Sequence, residues 1–268
     1  MKKDIVKGYL KELGLDENIN TLEEITQVIQ AHLKTFAFST MKVLFKEDIS
    51  LELEDIFESI VVKKRGGYCF EHNKLIYEVL KFLGFDVTFY LARMINNSKE
   101  EVAQCHRFTL LKFENKSYLI DVGTGIHSPL VPVDFTSGVI TNSHLGITYT
   151  IQKTKHNTYR LVMPQKKGIY TITQFDLIPC YEIDFEMGHF YTCKNPHSDL
   201  AHMLLISLSS KEVMKSLRGN SYFKIYENHE ERTQIQDIET FKKIVQEELL
   251  CSFSHKELEL IYNQYIKG

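Results

Sequence analysis

Residues 65–85 read RGGYCFEHNKLIYEVLKFLGF, and this stretch sets the interpretation of the chain on either side of it. The pair Gly66 and Gly67 predicts a turn, because glycine adopts backbone angles that are closed to other residues. From Cys69 onward apolar residues recur at helical spacing, and Gly84 is typical of a helix end. The stretch therefore predicts a helix that begins at Cys69, directly after a glycine turn.

Cys69 stands at a position where a protein can use a thiol chemically. Unpaired N–H groups and the helix dipole at a helix start stabilise an anion. The thiolate is the reactive form of cysteine, and its pKa, about 8.5 in free cysteine, falls at such positions. We therefore expect Cys69 to be a nucleophile; the residues alone leave open that it is a buried structural thiol.

The patterns on the two sides of this stretch differ. Residues 1–85 show mainly helical spacing, including a capping box formed by Thr21 and Glu24. After Gly84 the apolar period changes to two, which predicts antiparallel strands of a meander or small barrel. From about residue 197 strand and helix patterns mix. This segregation predicts an α+β fold rather than a doubly wound sheet.

Two residues on the predicted strands are candidate partners for the thiol. His106 lies in the run QCHRFTLLKF, and Asp121 follows the next strand, in SYLIDVGTG. Neighbouring antiparallel strands can bring an imidazole and a carboxylate together, and the carboxylate then holds the ring and stabilises its charged form. Cys69, His106 and Asp121 are the predicted triad of nucleophile, base and orienting acid.

Composition excludes several classes of protein. The 268 residues carry a net charge of −3, without the clustered basic excess of a nucleic-acid binder. No apolar run approaches the roughly 20 residues of a membrane span, and the N-terminus does not resemble a signal peptide. The five cysteines are widely spaced and form no CxxC pair, which favours free thiols in a cytoplasmic protein. The histidines lack the spacing of a metal site, so we expect no metal.

Beyond these patterns, RGGYCFEHN resembles the signature of the arylamine N-acetyltransferases, in which the cysteine accepts an acetyl group from acetyl-coenzyme A. The resemblance extends along most of the chain in order. It includes HLKTFAFSTM (32–41), GFDVTFYLAR (84–93), CHRFTLL, YLIDVGTG and DFEMGHFYTCKNPHSDL (184–200), with a fainter similarity at ERTQ (231–234).

The resemblance implies a fold and a division of the chain. It implies a helical lobe with the nucleophile over residues 1–85, a β-barrel lobe with the histidine and aspartate over 86–188, and an α/β lid over 189–268. The core would then be similar to that of cysteine proteases. This order of helices, strands and mixed elements agrees with the periodicity described above.

The resemblance also implies a mechanism. The triad of the family maps onto Cys69, His106 and Asp121. Acetyl-coenzyme A would donate an acetyl group to Cys69, and an arylamine, arylhydroxylamine or hydrazine would then take it, in a ping-pong sequence. The implied partners are these small molecules, with no nucleic acid and no membrane, and the state as monomer or homodimer stays open.

Further residues are expected near the site. The tetrahedral oxyanion needs preorganised donors, and the candidates are the N–H of Cys69 and one from Val102 or Ala103, which also lie on the expected coenzyme side. Phe38, Cys105 and Thr124 are expected to contact the substrate. Arg65, Gly67 and Glu71 are expected to support the site structurally.

Three positions depart from the pattern of the family. Ser39 stands where the family usually has a glutamate that pairs with the signature arginine, so Arg65 is expected to pair with Glu71 or Asp121, or to face water. Thr124 stands where an aromatic ring usually lines the acceptor pocket. His72 replaces the commoner glutamine, and we expect it to be structural.

Two alternatives to acetyl transfer stay open. The same order of cysteine, histidine and aspartate serves amide chemistry, so an amidase or transglutaminase-like enzyme is one alternative. The departures at Ser39 and Thr124 motivate the other, a member of the family that binds coenzyme A without turnover.

Overall fold

The computed structural model describes residues 2–98, 101–166 and 168–267. Its N-terminal part is helical. The helices are α1 (Lys2–Glu12), α2 (Leu22–Thr35), α3 (Met41–Leu44), α4 (Leu53–Phe57), which continues as a π-helical turn (Glu58–Val62), and α5 (Cys69–Phe82); the short strand β1 (Phe38–Ser39) precedes α3. The capping box predicted for α2 is present, with Glu24 N bonded to Thr21 Oγ1 at 3.2 Å. Apolar side chains of α1, α2, α4 and α5 form one core with Leu111 and Ile120 of the sheet that follows.

An eight-stranded antiparallel sheet follows the helices and curls into a nearly closed barrel. Its strands pair in the order β5-β4-β3-β2-β9-β8-β7-β6. They are β2 (Asp86–Met94), β3 (Gln104–Phe113), β4 (Lys116–Ile120), β5 (Val133–Asp134), β6 (Ile140–Asn142), β7 (Thr148–Lys153), β8 (Tyr159–Gln165) and β9 (Gly168–Phe175).

The hairpin between β3 and β4 sets the relation between the two predicted partners of the thiol. A two-residue turn, Glu114 and Asn115, joins the strands with positive φ at both residues, as the tightest hairpins require. The last regular pair is Thr109 with Ile120, so the same register places His106 level with Gly123. Asp121 is then a diagonal neighbour of His106 on the same face, within reach of a side-chain contact.

A second antiparallel sheet forms the C-terminal part. Its order is β1-β10-β11-β12-β13, so the first strand comes from the helical region. The other members are β10 (Leu205–Ser209), β11 (Met214–Arg218), β12 (Ser221–Ile225) and β13 (Glu230–Gln234). Helices α7 (Ile238–Lys243) and α8 (His255–Ile261) supply apolar side chains to the core beneath this sheet. Strand β1 pairs with β10 on one side. On the other side Ser39 N donates to Gly67 O at 2.6 Å, so Phe38 and Ser39 lie beside the start of α5.

Helix α6 (Glu182–Lys194) joins the two sheets, and the sequence patterns did not predict it. Its apolar residues lie on all sides: Phe185 is buried, whereas Ile183, Met187 and Phe190 are exposed. No apolar stripe therefore marks the helix. The boundary predicted between residues 188 and 189 falls inside α6, and the division into three lobes stays a proposal.

The predicted fold class, helices followed by an antiparallel barrel and a mixed α/β part, is what the structure shows. Across the described residues, no helix combines the length and the apolarity that crossing a lipid bilayer would demand.

Candidate active site

Cys69 is the first residue of α5 and is 3% exposed. Its thiol donates to Cys105 O at 3.9 Å. Burial raises the pKa of the Cys69 thiol well above its usual value, and nearby Cys105 and Asp121 raise it further, while the N–H of Phe70 opposes this shift. Burial therefore outweighs the helix start, which was expected to lower this pKa, and a base that accepts the thiol proton would favour attack by the sulfur.

His106 and Asp121 form a buried pair, as their positions on β3 and after β4 predict. His106 Nε2 lies 2.6 Å from Asp121 Oδ2. The other oxygen, Oδ1, accepts from Asn73 Nδ2 at 2.8 Å and from Gly123 N at 3.0 Å. With donors on both oxygens the carboxylate is held in one orientation, and it orients the imidazole in turn.

Asn73 is a residue of the site that the sequence analysis missed. It lies one helical turn after Cys69, is fully buried, and its Oδ1 accepts from Val122 N at 2.9 Å. It therefore ties the helix of the thiol to the chain segment that carries Asp121. The sequence did contain a sign of this role, because Asn73 is a polar residue four positions after Cys69 and therefore lies on the same face of the predicted helix.

Close packing brings the thiol and the histidine–aspartate pair to one place. A side chain at Gly123 would put its Cβ 2.8 Å from Cys69 Cα and 2.5 Å from Asn73 Nδ2. Such contacts are shorter than folded proteins tolerate, so only glycine lets the segment after Asp121 lie against the start of α5.

The remaining ring nitrogen of His106 is available for proton transfer. Nδ1 is buried and has no hydrogen-bond partner among the described residues, Cys69 included. Because Nε2 faces a carboxylate, the neutral ring carries its proton on Nε2 and leaves Nδ1 as the acceptor. Other buried atoms of the described residues, including His144 Nε2, also lack a partner. The feature that points to function at His106 is therefore the combination of an unpaired Nδ1 with a carboxylate on Nε2, beside a buried thiol.

The residues expected on the coenzyme side lie next to Cys105. Val102 O accepts from the Arg93 guanidinium at 2.6 Å, and Ala103 O accepts from Cys105 N at 3.1 Å. A cleft of about 540 Å³ opens beside them, and Ala103, Cys105 and part of α6 line its walls. The structure brings Cys105 to the thiol and places Ala103 in the adjoining cleft.

Of the three residues expected to contact substrate, Cys105 lines this cleft, whereas Phe38 and Thr124 do not. Phe38 is buried, and its ring lies parallel to that of His72 at a centroid distance of 6.5 Å. Thr124 follows Gly123, and its hydroxyl is paired with Ser128 Oγ at 3.1 Å. A Cβ added at Gly125 would lie 3.9 Å from the Phe38 ring, so Phe38 and the loop of Thr124 are neighbours.

The prediction that Arg65 pairs with Glu71 or Asp121, or faces water, is wrong. Its guanidinium pairs with Glu47 and, at 2.8 Å, with Glu257, and it lies over the ring of Phe253. Two of these three partners come from the C-terminal part, which no local pattern around Arg65 reveals. Glu71 pairs with Lys42 instead. Gly67 supports the site through its carbonyl bond to Ser39 N.

His72 has the geometry expected of a structural residue. Its Nε2 donates to Ala37 O at 3.0 Å, and its Nδ1 accepts from His32 Nε2 at 2.8 Å. Tyr9 completes the chain by donating to His32 Nδ1 at 2.9 Å. Burial lowers the pKa of His72 to about 4 and the pKa of His32 as well, so both rings are neutral and every ring nitrogen is paired.

No group of three or more acidic, histidine or cysteine side chains suited to a metal ion occurs within residues 2–98, 101–166 and 168–267. The fold and the site define a class of protein: an α+β fold in which a buried thiol at a helix start adjoins a histidine held by a carboxylate.

Comparison with known proteins identifies the family within this class. The sequence model of the N-acetyltransferase family matches residues 21–257, and the chain belongs to this family. Arylamine N-acetyltransferase from Escherichia coli (strain K12) is 28% identical over 246 residues, which cover 86% of this chain and 82% of the relative. The resemblance to arylamine N-acetyltransferases is thereby confirmed.

Solved structures confirm the fold. The arylamine N-acetyltransferase from Salmonella typhimurium superposes with a TM-score of 0.90 at 22% identity, over 96% of this chain and 97% of that one. The enzyme from Mycobacterium marinum in complex with CoA gives a TM-score of 0.91 at 21% identity, over 97% of this chain and 99% of that one.

Proposed function

We propose that the protein transfers an acetyl group from acetyl-coenzyme A to arylamines, arylhydroxylamines or hydrazines through an acetyl-cysteine at Cys69. The observation that carries the proposal is the state of His106, whose Nε2 is held by Asp121 while its buried Nδ1 has no partner among the described residues. The family and its arylamine N-acetyltransferase relatives support the choice of donor and acceptor.

In the first half of the reaction, the thiol of Cys69 turns from Cys105 O towards His106 Nδ1 and gives up its proton. The sulfur attacks the thioester carbonyl, and the bond between that carbon and the sulfur of coenzyme A breaks. The leaving thiolate takes the proton back from His106. One thioester replaces another, so no oxidant, metal or hydrolysis step enters.

In the second half, the amine attacks the acetyl-cysteine. Nδ1 of His106 accepts the amine proton, the bond between the carbonyl carbon and Cys69 Sγ breaks, and the proton returns to the thiolate. Asp121 favours both steps because its charge stabilises the imidazolium that forms in each of them. The buried setting of the pair strengthens this stabilisation.

The oxyanion of each tetrahedral intermediate needs N–H donors that are already in place. The N–H groups of Cys69 and Phe70 are at the helix start, where they lack a partner within α5. We assign the Cys69 N–H to this role, with Val102 or Ala103 as the second donor. Losing one such donor typically lowers the rate by about 10²–10³-fold.

Steady-state kinetics test this proposal. The rate of coenzyme A release is measured with acetyl-coenzyme A as donor and aniline or phenylhydrazine as acceptor, in the wild type, Cys69→Ala and Cys251→Ala. The proposal predicts parallel double-reciprocal lines for the wild type and for Cys251→Ala, which removes a thiol of the C-terminal core, and no acceptor-dependent release from Cys69→Ala. Intersecting lines would contradict the ping-pong sequence, and full activity of Cys69→Ala would contradict the role of its sulfur.

A further inference from the structure

A buried ion pair lies next to the start of α5 and takes no direct part in the proposed chemistry. The Lys42 ammonium contacts Glu71 Oε1, and the two side chains are 5% and 1% exposed. Lysine and glutamate are rarely buried so completely, and removal of either partner would leave an uncompensated buried charge.

Both ends of the pair are attached to the structure around the thiol. Glu71 is two residues after Cys69, and its second oxygen accepts from Tyr68 N at 3.2 Å, which closes the first turn of the helix. The Lys42 ammonium also donates to Ser59 Oγ at 2.7 Å. The pair therefore connects α3, the turn after α4 and the first turn of α5.

Ser39 helps to place the lysine. Its hydroxyl accepts from Met41 N at 3.2 Å, at the start of the short helix that carries Lys42, and its own N–H donates to Gly67 O. Ser39 is also one of the three positions that depart from the pattern of the family. The local structure thus combines a serine at position 39 with a buried lysine three residues later.

We propose that Lys42 is a positioning residue for Cys69: by neutralising Glu71 it fixes the first turn of α5 and cancels the charge of a carboxylate two residues after the nucleophile. A carboxylate at this helix position binds backbone N–H groups well but opposes a negative charge on the neighbouring thiol. With the Lys42 ammonium beside it, the Glu71 carboxylate still binds the backbone N–H group, but its charge no longer opposes a thiolate at Cys69. The inference rests on the proposed function, which makes Cys69 the nucleophile.

Other titratable groups face the same region. Asp121, Cys105 and Cys193 face the thiol of Cys69, and His106 is paired with Asp121. The charges of Lys42 or Glu71 also act on further groups, which are Tyr68, His72, His189, Cys193 and Cys251. Cys193 belongs to both sets, so its own alkylation is followed in every variant: a Cys69 midpoint that shifts while Cys193 stays a thiol reports on the ion pair.

The test measures the pH midpoint for alkylation of Cys69 by iodoacetamide, with each cysteine quantified separately by peptide mass spectrometry. The variants are Lys42→Met, Glu71→Gln and the double variant. Lys42→Met leaves a lone carboxylate and raises the midpoint by about one unit, and Glu71→Gln leaves a lone ammonium and lowers it by a similar amount. The double variant, which carries neither charge, returns the midpoint to that of the wild type.

Lys215→Met is the matched control, because Lys215 pairs with Glu248 at 2.8 Å in the C-terminal part of the chain. It is expected to change thermal stability and to leave the midpoint unchanged. If the Cys69 midpoint in both single variants equals that of the wild type, the inference is overturned and the ion pair has a purely structural role. If Lys42→Met does not fold, Glu71→Gln decides: a lowered midpoint supports the inference and an unchanged one overturns it.

Alkylation needs no acetyl-coenzyme A. If the variants show the expected midpoint shifts but the wild type never accepts an acetyl group, the proposed function is contradicted and the inference stands. If the wild type accepts an acetyl group but the midpoints of all variants coincide, the inference is contradicted and the proposed function stands.

Discussion

Two buried histidines, His72 on the helix of Cys69 and His106 on strand β3, use their ring nitrogens differently. His72 has a partner on each nitrogen, in a chain that runs from Tyr9 through His32 to Ala37 O. His106 has a carboxylate on one nitrogen and no partner on the other among the described residues.

The difference shows how the same side chain serves structure in one place and chemistry in another. A neutral ring with both nitrogens paired holds its neighbours and cannot accept a further proton without breaking a bond. A ring with one nitrogen bonded to a carboxylate and one free is ready to accept a proton. Burial alone does not distinguish the two, since both rings are almost completely buried.

Replacing His106 is expected to have the largest effect. His106→Gln keeps a polar side chain near Asp121 but removes the base, so the rate of acetylation of Cys69 should fall by about 10²–10⁴-fold. Rapid-quench measurement of the acetyl-enzyme gives this rate directly. His72→Gln is the matched variant, and a comparable loss there would mean that the two histidines do not differ as described.

Asp121→Asn leaves His106 in place and changes only its carboxylate partner. The amide cannot stabilise the imidazolium and favours the wrong tautomer of the ring, which costs on the order of 10⁴-fold in a serine protease. We expect a loss of at least about 10²-fold in the acetylation rate, with a change in the melting temperature that is too small to explain it. Retained activity would show that the carboxylate does not act through His106.

For His72 the expected effect is on stability. His72→Ala leaves the buried N–H of His32 without an acceptor, which costs about 1–3 kcal/mol in the free energy of unfolding, in addition to the loss of packing. Glutamine can both donate to Ala37 O and accept from His32, so His72→Gln should retain most of this stability. Urea denaturation of the two variants measures the difference, and equal losses would contradict the hydrogen-bond account.

The two hydrogen-bonded histidines His72 and His32 should make the stability of the folded protein depend on pH. The pKa of His72 is lowered to about 4 in the folded protein, from a usual value of 6.5, so the unfolded chain binds more protons between these values. Stability is therefore fully present above pH 6.5 and falls as the pH drops towards 4, by up to about 1.4 kcal/mol per pH unit for this residue. His32 adds to the slope in the same direction. In His72→Gln the contribution of His72 should vanish, and an unchanged slope between pH 6.5 and 4 would contradict its neutral burial.

The sequence predicted the three residues proposed to carry the chemistry more completely than the residues that hold them in place. A glycine turn followed by a helix marked Cys69, and period-two strands placed His106 and Asp121 on one hairpin. These are local signals, carried by a few consecutive residues, and resemblance to a family strengthened them.

The supporting residues depend on contacts between distant parts of the chain. Arg65 was assigned the wrong partners because Glu257 lies 192 positions away. Lys42 was missed because composition rules expect a lysine at the surface. Helix α6 was missed because its apolar residues form no stripe, and only packing against the barrel explains why Phe185 is buried and Met187 is exposed.

We propose that Cys69 carries the acetyl group, and the intact mass of the protein after incubation with acetyl-coenzyme A and no acceptor, beside Cys69→Ala, tests this directly. We expect one added acetyl mass in the wild type, none in Cys69→Ala, and loss of the added mass when aniline is supplied. An unmodified wild type, or the same added mass in Cys69→Ala, would contradict it.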